Sequence, residues 1–227
     1  MIVGNGLIAK AFTKKYEKDD SIIIFASGVS NSEETNSYNF VREKNLLLSI
    51  MHAHSNIKLV YFSTILIGYK NSPYYTHKKE MEDLIKSTSK DYIIIRIPQL
   101  IGARGNKNNL INYLVNNIKN GFSVVVYDDI KRALLDVDDL VNFIDYCKDL
   151  STCKSISIGG IEPISVVDLS KKIGYILNVQ PIIKIKVKNE DDGWTTISDS
   201  TFNDFLIINQ IKSEGYTEKI IKKYIKI

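Results

Sequence analysis

The chain has 227 residues, with 30 Lys or Arg against 26 Asp or Glu and a formal charge of +4. That length suits one large domain, or one domain with a small lobe, and permits a sizeable core. The interleaved charges read as a solvated surface, no basic stripe with aromatics points to nucleic acid, and the apolar runs 22–25 and 92–95 are far too short to span a bilayer.

The elements alternate in chain order. Ile2 and Val3 form a very short strand, and Gly4 to Gly6 turn into a helix over Leu7–Tyr16. Ser21–Ala26 is a continuous β-branched run, expected to be a strand buried on both faces. A helix is expected over 34–52 with Phe40, Leu46, Leu47 and Ile50 on one face, then a strand over 58–63, a helix over 73–87 and a strand over 92–97. Strands alternating with helices imply parallel βαβ units. Beyond residue 98 the pattern loosens into helices at 108–119, 137–148 and 166–177, strands at 124–127, 154–158 and 182–187, and C-terminal helices. The expected division is a parallel α/β domain over 1–100 plus 132–160, with a small lobe over 101–131 plus 161–227 folded onto the sheet. Cys147 and Cys153 match no metal spacing and are too few for a disulfide framework. The N-terminus lacks the basic and long apolar stretches of a signal peptide, so a soluble, cytoplasmic protein is expected.

Two features carry chemistry. "VGNGLIA" sets Gly4, Gly6 and Ala9 in a G-x-G-x-x-A frame between strand and helix, where small residues let backbone approach a pyrophosphate at a helix N-terminus. Two glycines in a tight turn have an equally good steric explanation. Tyr74 and Lys78 stand one helical turn apart, and a cation beside a phenol pulls its pKa, ordinarily about 10, toward neutrality. Thr64 would close the preceding strand at its carboxyl end, where open α/β sheets bind ligands. An exposed Tyr and Lys on a solvated face is the alternative for that pair. His77, beside Lys78, is expected to face solvent, and neither it nor His52 or His54 has metal-ligand spacing.

Assembled, these stretches resemble the extended short-chain dehydrogenase/reductase family in its NAD-dependent epimerase/dehydratase, nucleotide-sugar branch. "SPYYTHKKEME" is similar to its P-Y-x-x-x-K-x-x-x-E helix, "FSTILIG" to the strand end with the catalytic Ser/Thr, and "NFVREKNLLL" to its N-V-x-G-T-x-N-L-L helix. "IRIPQLIG" and "RALLDVDDL" resemble its cofactor-proximal Pro-Gly segment and its R-x-x-x-x-V-x-D motif. The resemblance implies catalytic Thr64, Tyr74 and Lys78. It implies NAD or NADP held by Gly4, Gly6, Leu7, Ile8, Ala26, Ser27, Asn39, Tyr74, Lys78 and Pro98, with Gly102 near the nicotinamide end. It further implies a nucleotide sugar met by Thr64, Asn109 and Arg132, although Arg132 also has an ion pair with Asp129 or Asp136 open to it. Lys78 would lower the Tyr74 pKa.

Three departures follow. The family's dehydratases place Asp-Glu after the catalytic Thr, whereas Ile65 and Leu66 stand here, which disfavours dehydration. Only nine residues separate Thr64 from Tyr74, so the covering loop is short. "IIFASG" resembles the family's fourth strand yet follows the first helix directly, so a strand–helix–strand unit is missing. With it goes the residue that reads the adenosine ribose, so NAD and NADP are not distinguished and weak binding is expected. The first helix must then change face or make a left-handed crossover. Strand one becomes an edge to be covered by a loop, the C-terminal segment or a second subunit in a homodimer. The leading expectation is an NAD(P)-dependent nucleotide-sugar ketoreductase or epimerase. A non-catalytic nucleotide or nucleotide-sugar binding protein is the alternative, and an accessory subunit a third.

Overall fold

The computed structural model describes residues 1–103, 110–127, 130–150, 152–187 and 197–225. Its centre is a five-stranded parallel sheet of β1 (Ile2–Val3), β2 (Ile22–Phe25), β3 (Lys58–Thr64), β4 (Tyr92–Ile97) and β9 (Lys154–Ser157), in the order β1-β2-β3-β4-β9. All four residues of β2 are buried, as are Tyr92 to Ile95 of β4, which explains why these strands read as apolar runs without alternation. The structure is thus α/β, with a Rossmann-like parallel sheet.

Helices cover both faces. α1 (Leu7–Tyr16) and α5 (Val137–Cys147) share one apolar cluster with Ile22, Ile24, Val60, Phe62, Ile93 and Ile95. α2 (Ser37–Ala53) and α3 (Pro73–Thr88) pack on the opposite face through Leu47, Met51, Met81 and Ile85 against Ile23, Phe25, Leu59, Tyr61 and Ile94. The alternation of Val60 and Phe62 with Leu59 and Tyr61 along β3 produces this division. α1 is tied to α5 at its C-terminal end, where Lys15 pairs with Asp145 at 2.6 Å and the Tyr16 hydroxyl donates to the same carboxylate.

Every connection steps the same way across the sheet, while α1 lies on the face opposite α2 and α3. Its crossover therefore has the hand opposite to theirs, the left hand if theirs is the usual right. Of the two outcomes foreseen for this helix, α1 has kept its face. β1 is the sheet edge, with β2 as its partner.

The remaining elements build on the first face. α4 (Leu110–Lys119) and α6 (Val166–Leu177) pack with a parallel pair, β6 (Val124–Tyr127) and β11 (Ile183–Lys186). Four strands escaped the sequence reading because they are only two or three residues long: β5 (Gln99–Ile101) pairs with β8 (Leu134–Asp136), and β7 (Lys131–Arg132) with β10 (Ile164–Ser165). α7 (Ser200–Ile208) and α8 (Tyr216–Tyr224) complete the chain. The cluster under α1 and α5 continues without a break through Leu114, Val124, Ile173, Phe202 and Ile221. α8 is fastened by the Lys223 ammonium and the Tyr224 hydroxyl, both 2.6 Å from the buried Asp136 carboxylate that caps α5. Among the described residues no helix is long and apolar enough to cross a membrane.

Candidate active site

In a parallel sheet all carboxyl ends meet at one rim, and that rim carries the chemistry-bearing residues. β1 runs into Gly4, β2 into Ala26 and Ser27, and β4 into Pro98, while Thr64 ends β3 opposite Ile97. A cleft of about 1310 Å³ opens there, lined by Gly6, Leu7, Ile8, Ala26, Ser27, Thr64, Tyr74, Lys78, Pro98 and Arg132. Of the expected residues, two described ones stand apart from its lining and a third cannot be placed among the described residues. Gly4 supports the turn, Asn39 donates its side-chain amide to Glu34 at 2.8 Å, and Asn109 lies outside the described residues.

The glycine turn has a clear steric logic. Gly4 has φ of +126°, and a Cβ there would sit 2.5 Å from the Ala26 carbonyl oxygen, so the turn must press directly on the end of β2. Gly6 differs: it has an ordinary extended backbone, and a Cβ there would meet nothing within 4 Å. The protein itself does not need a glycine at 6, but a ligand approaching the backbone would. Gly6 is also the N-cap of α1 with no side-chain cap, and the first turn holds no acid, so the first N–H groups of the helix face the cleft. These features fit the pyrophosphate of a dinucleotide. Gly102 has a packing role instead, since a Cβ there would collide with Leu7 and Val137 at 2.5 and 2.8 Å.

Tyr74 and Lys78 both lie on the buried side of α3, ruling out the solvated-face alternative. Thr64 is 9% exposed, and its Oγ1 accepts from the Leu66 N–H at 3.2 Å, which leaves the hydroxyl proton for another acceptor. The Tyr74 ring packs edge-on to Tyr75, 5.1 Å between centroids.

The surroundings of Lys78 differ from expectation. Its ammonium is buried at the floor of the cleft, donating to Glu43 Oε1 at 3.0 Å and to the Tyr61 hydroxyl at 3.1 Å, and standing 6.0 Å from the Tyr74 ring centroid. Glu43 is 0% exposed and also takes the Val29 N–H and the Tyr61 hydroxyl, each at 2.6 Å, with His77 Nε2 at 3.0 Å. Burial pushes the Glu43 carboxyl up, but His77, Lys78, Tyr61 and Val29 together outweigh it and bring the pKa to about 2. Burial pulls the Lys78 ammonium below its ordinary value against the raising effect of Glu43.

Two expectations are corrected here. His77 is buried at 5% exposure, its ring 4.7 Å from that of Phe40, because Glu43 draws it inward. The Tyr74 hydroxyl is pushed well up, first by burial and then by Tyr75 and the Glu43 charge. The lowering expected from Lys78 is thus replaced by a rise whose main cause is burial, and the Lys78 ammonium is itself paired with Glu43. Glu43 was missed although it stands in the i, i+4, i+8 stripe with Leu47 and Met51 that forms the buried face of α2. An acid in such a stripe is a signal for a buried partner. Arg42 was missed as well. It lines the cleft and holds Ser27 through Nη1 to Oγ at 3.2 Å and Nη2 to the carbonyl at 2.8 Å. Arg42 and Glu43 occupy the Gly and Thr positions of the N-V-x-G-T-x-N frame.

On the other side of the cleft, Arg132 is half-buried in β7, with Nη1 3.0 Å from the Lys131 carbonyl. Of its two suggested carboxylate partners, Asp136 accepts from Lys223 and Tyr224, and Asp129 lies outside the described residues.

The fold is similar to that of several solved nucleotide-sugar enzymes. A dTDP-glucose 4,6-dehydratase from Bacillus anthracis, in complex with NAD, matches with a TM-score of 0.71 at 19% identity, over 97% of this chain and 75% of that one. A UDP-N-acetylglucosamine 4-epimerase from Bacillus cereus matches with a TM-score of 0.72 at 15% identity, over 98% and 93% of the two chains. A UDP-glucuronic acid 4-epimerase from Bacillus cereus gives 0.71 at 15%, over 91% and 74%. No curated protein matches the sequence. At these identities the likeness is one of fold, whereas residues 5–151 match the sequence model of the NAD dependent epimerase/dehydratase family, and the chain belongs to that family.

Proposed function

We propose that the protein is an NAD(P)-dependent nucleotide-sugar ketoreductase or epimerase, working from an acid–base site of Tyr74, Thr64 and Lys78. The observation that carries this reading is the meeting of those three residues with Gly6, Leu7, Ile8 and Pro98 on one cleft. NAD(P) bound there would supply or take up hydride at the sugar carbon. Gly6, Leu7 and Ile8 would receive its pyrophosphate at the start of α1, and Pro98 and Tyr74 would border its nicotinamide half. Tyr74, protonated in its buried setting, would donate a hydrogen bond and, in the reductive direction, its proton to the sugar oxygen. Thr64, whose oxygen is occupied by the Leu66 N–H, directs its own proton to the same oxygen. Ile65 and Leu66 carry no proton, which argues against water elimination. Arg132, across the cleft, suits the diphosphate of the nucleotide sugar through its planar fork.

The edge position of β1 supports a Rossmann half that lacks one strand–helix–strand unit, leaving the adenosine side of the cofactor with little wall. Residues 101–131 and 161–227 then form the substrate lobe. A second reading is favoured by one observation, the Glu43 carboxylate against Lys78. It is a nucleotide or nucleotide-sugar binding protein in which Tyr74 transfers no proton. Titration with NADH, NADPH and a panel of UDP-, GDP- and dTDP-sugars, with nicotinamide absorbance followed in mixtures, separates the two. Cofactor binding with turnover of a sugar supports the enzyme. Nucleotide-sugar binding with neither cofactor binding nor turnover supports the second reading.

A further inference from the structure

We propose that Arg42 is a phosphate-binding residue of the cleft, taking a phosphoryl group of a bound dinucleotide. This rests on the reading that the cleft holds NAD(P). Arg42 lies on α2, on the opposite face of the sheet from α1, yet the two converge on the end of β2. The guanidinium is fixed there by its two bonds to Ser27. The glycine turn reaches the same segment from the other side, since a Cβ on Gly4 would lie 2.5 Å from the Ala26 oxygen and 3.1 Å from the Ser27 nitrogen. Arg42 and the uncapped start of α1 thus flank one strand end, and both line the cleft.

The donor count leaves room for a ligand. A guanidinium carries five N–H donors, and Ser27 takes two of them. Among the described residues no carboxylate lies within ion-pair distance of Arg42. Glu34 is occupied by Thr35, Asn36 and Asn39, and Glu43 by its own buried partners. Glu33 also lines the cleft, so the field there is mixed, and the fixed fork rather than net charge gives Arg42 its selectivity for a tetrahedral anion. Such a contact would offset the adenosine contacts that an edge-position β1 cannot make. In a chain with glycine at this position the guanidinium would be missing altogether.

The test is a fluorescence titration of NADH and NADPH against the unaltered protein, Arg42→Ala and Arg42→Lys, with melting temperatures as a folding control. A charge-assisted phosphate contact predicts about 10- to 100-fold weaker binding in Arg42→Ala. Arg42→Lys keeps the charge without the fork and should fall between, and it carries the test should the alanine variant fail to fold. Equal losses for the two cofactors place the guanidinium on the shared pyrophosphate, and a larger loss for NADPH places it on the 2′-phosphate. Unaltered affinity in both variants overturns the assignment while leaving the cofactor reading intact. Failure of the unaltered protein to bind either dinucleotide overturns both, and nucleotide-sugar titration of the same samples shows whether the cleft still takes ligands.

Discussion

Replacing Lys78 with Met should destabilise the protein through Glu43. The substitution keeps most of the side-chain volume but leaves a carboxylate at 0% exposure without its counter-charge. Breaking one side of a buried pair costs about 3–5 kcal/mol. Glu43 would keep the Val29 N–H, the Tyr61 hydroxyl and His77, which places the loss near the lower end, about 3 kcal/mol. The pKa sets a ceiling: a carboxyl held at about 2 against an ordinary 4.5 contributes about 3 kcal/mol above both values, a total shared among His77, Lys78, Tyr61 and Val29 and opposed by the burial of Lys78. Because this pKa is depressed on folding, the stability is fully present above pH 4.5 and is lost as the pH falls toward 2. Urea unfolding at pH 7 should therefore separate Lys78→Met from the unaltered protein by about 3 kcal/mol, or about 6–12 °C in melting temperature for a chain of this size. The gap should narrow in acid, where the unaltered protein loses the same contribution. Joining Glu43→Gln to Lys78→Met should restore part of the loss, since the amide carries no charge while its oxygen can still accept from the Val29 N–H or the Tyr61 hydroxyl. A single variant within about 0.5 kcal/mol of the unaltered protein at pH 7, within the range of a neutral surface change, would refute the reasoning. So would a double variant no better than the single, which would trace the cost to packing.

Three further outcomes are expected. Tyr74→Phe should abolish turnover while leaving the melting temperature nearly unchanged, because no described residue depends on that hydroxyl; a variant keeping most of its rate would show that the proton moves elsewhere. Arg132→Ala should weaken nucleotide-sugar binding by about 1.5–3 kcal/mol in calorimetric titration without changing NADH affinity, and an unaltered sugar affinity would exclude a diphosphate contact. Gly6→Ala should leave folding intact, as its Cβ meets open space, yet weaken NADH binding, whereas Gly4→Ala should disturb the fold by forcing β1 away from Ala26. Equal behaviour of the two glycine variants in thermal melts would contradict this assignment.

How much of this was legible depended on the range over which each interaction acts. The buried runs of β2 and β4, and helices such as α1 and α6, followed from local pattern, and their observed bounds lie close to those expected. Tyr74 and Lys78 belong to one helical turn, so their shared face could be read from spacing alone. What surrounds that face could not be read in this way. Glu43 enters from a different helix, 35 residues before Lys78, and its effect depends on the two helices covering the same side of β3. Glu43 gathers the cluster: it takes His77 inward, accepts from Tyr61 and pairs with Lys78, while the Tyr74 hydroxyl is kept protonated first by burial, then by Tyr75 and only then by Glu43. The short strands β5, β7, β8 and β10 escaped for a related reason, since pieces of two or three residues exist only through their partners. The hand of the α1 crossover shows the same limit. Sequence order revealed that α1 must do something unusual, but only the packing of Phe12 against Phe62, with Lys15 on Asp145, fixes the face on which it does it. The motif frames therefore named Thr64, Tyr74 and Lys78 as residues of one cleft, while their charge states depend on burial and on Glu43, an acid standing where the frame has Thr.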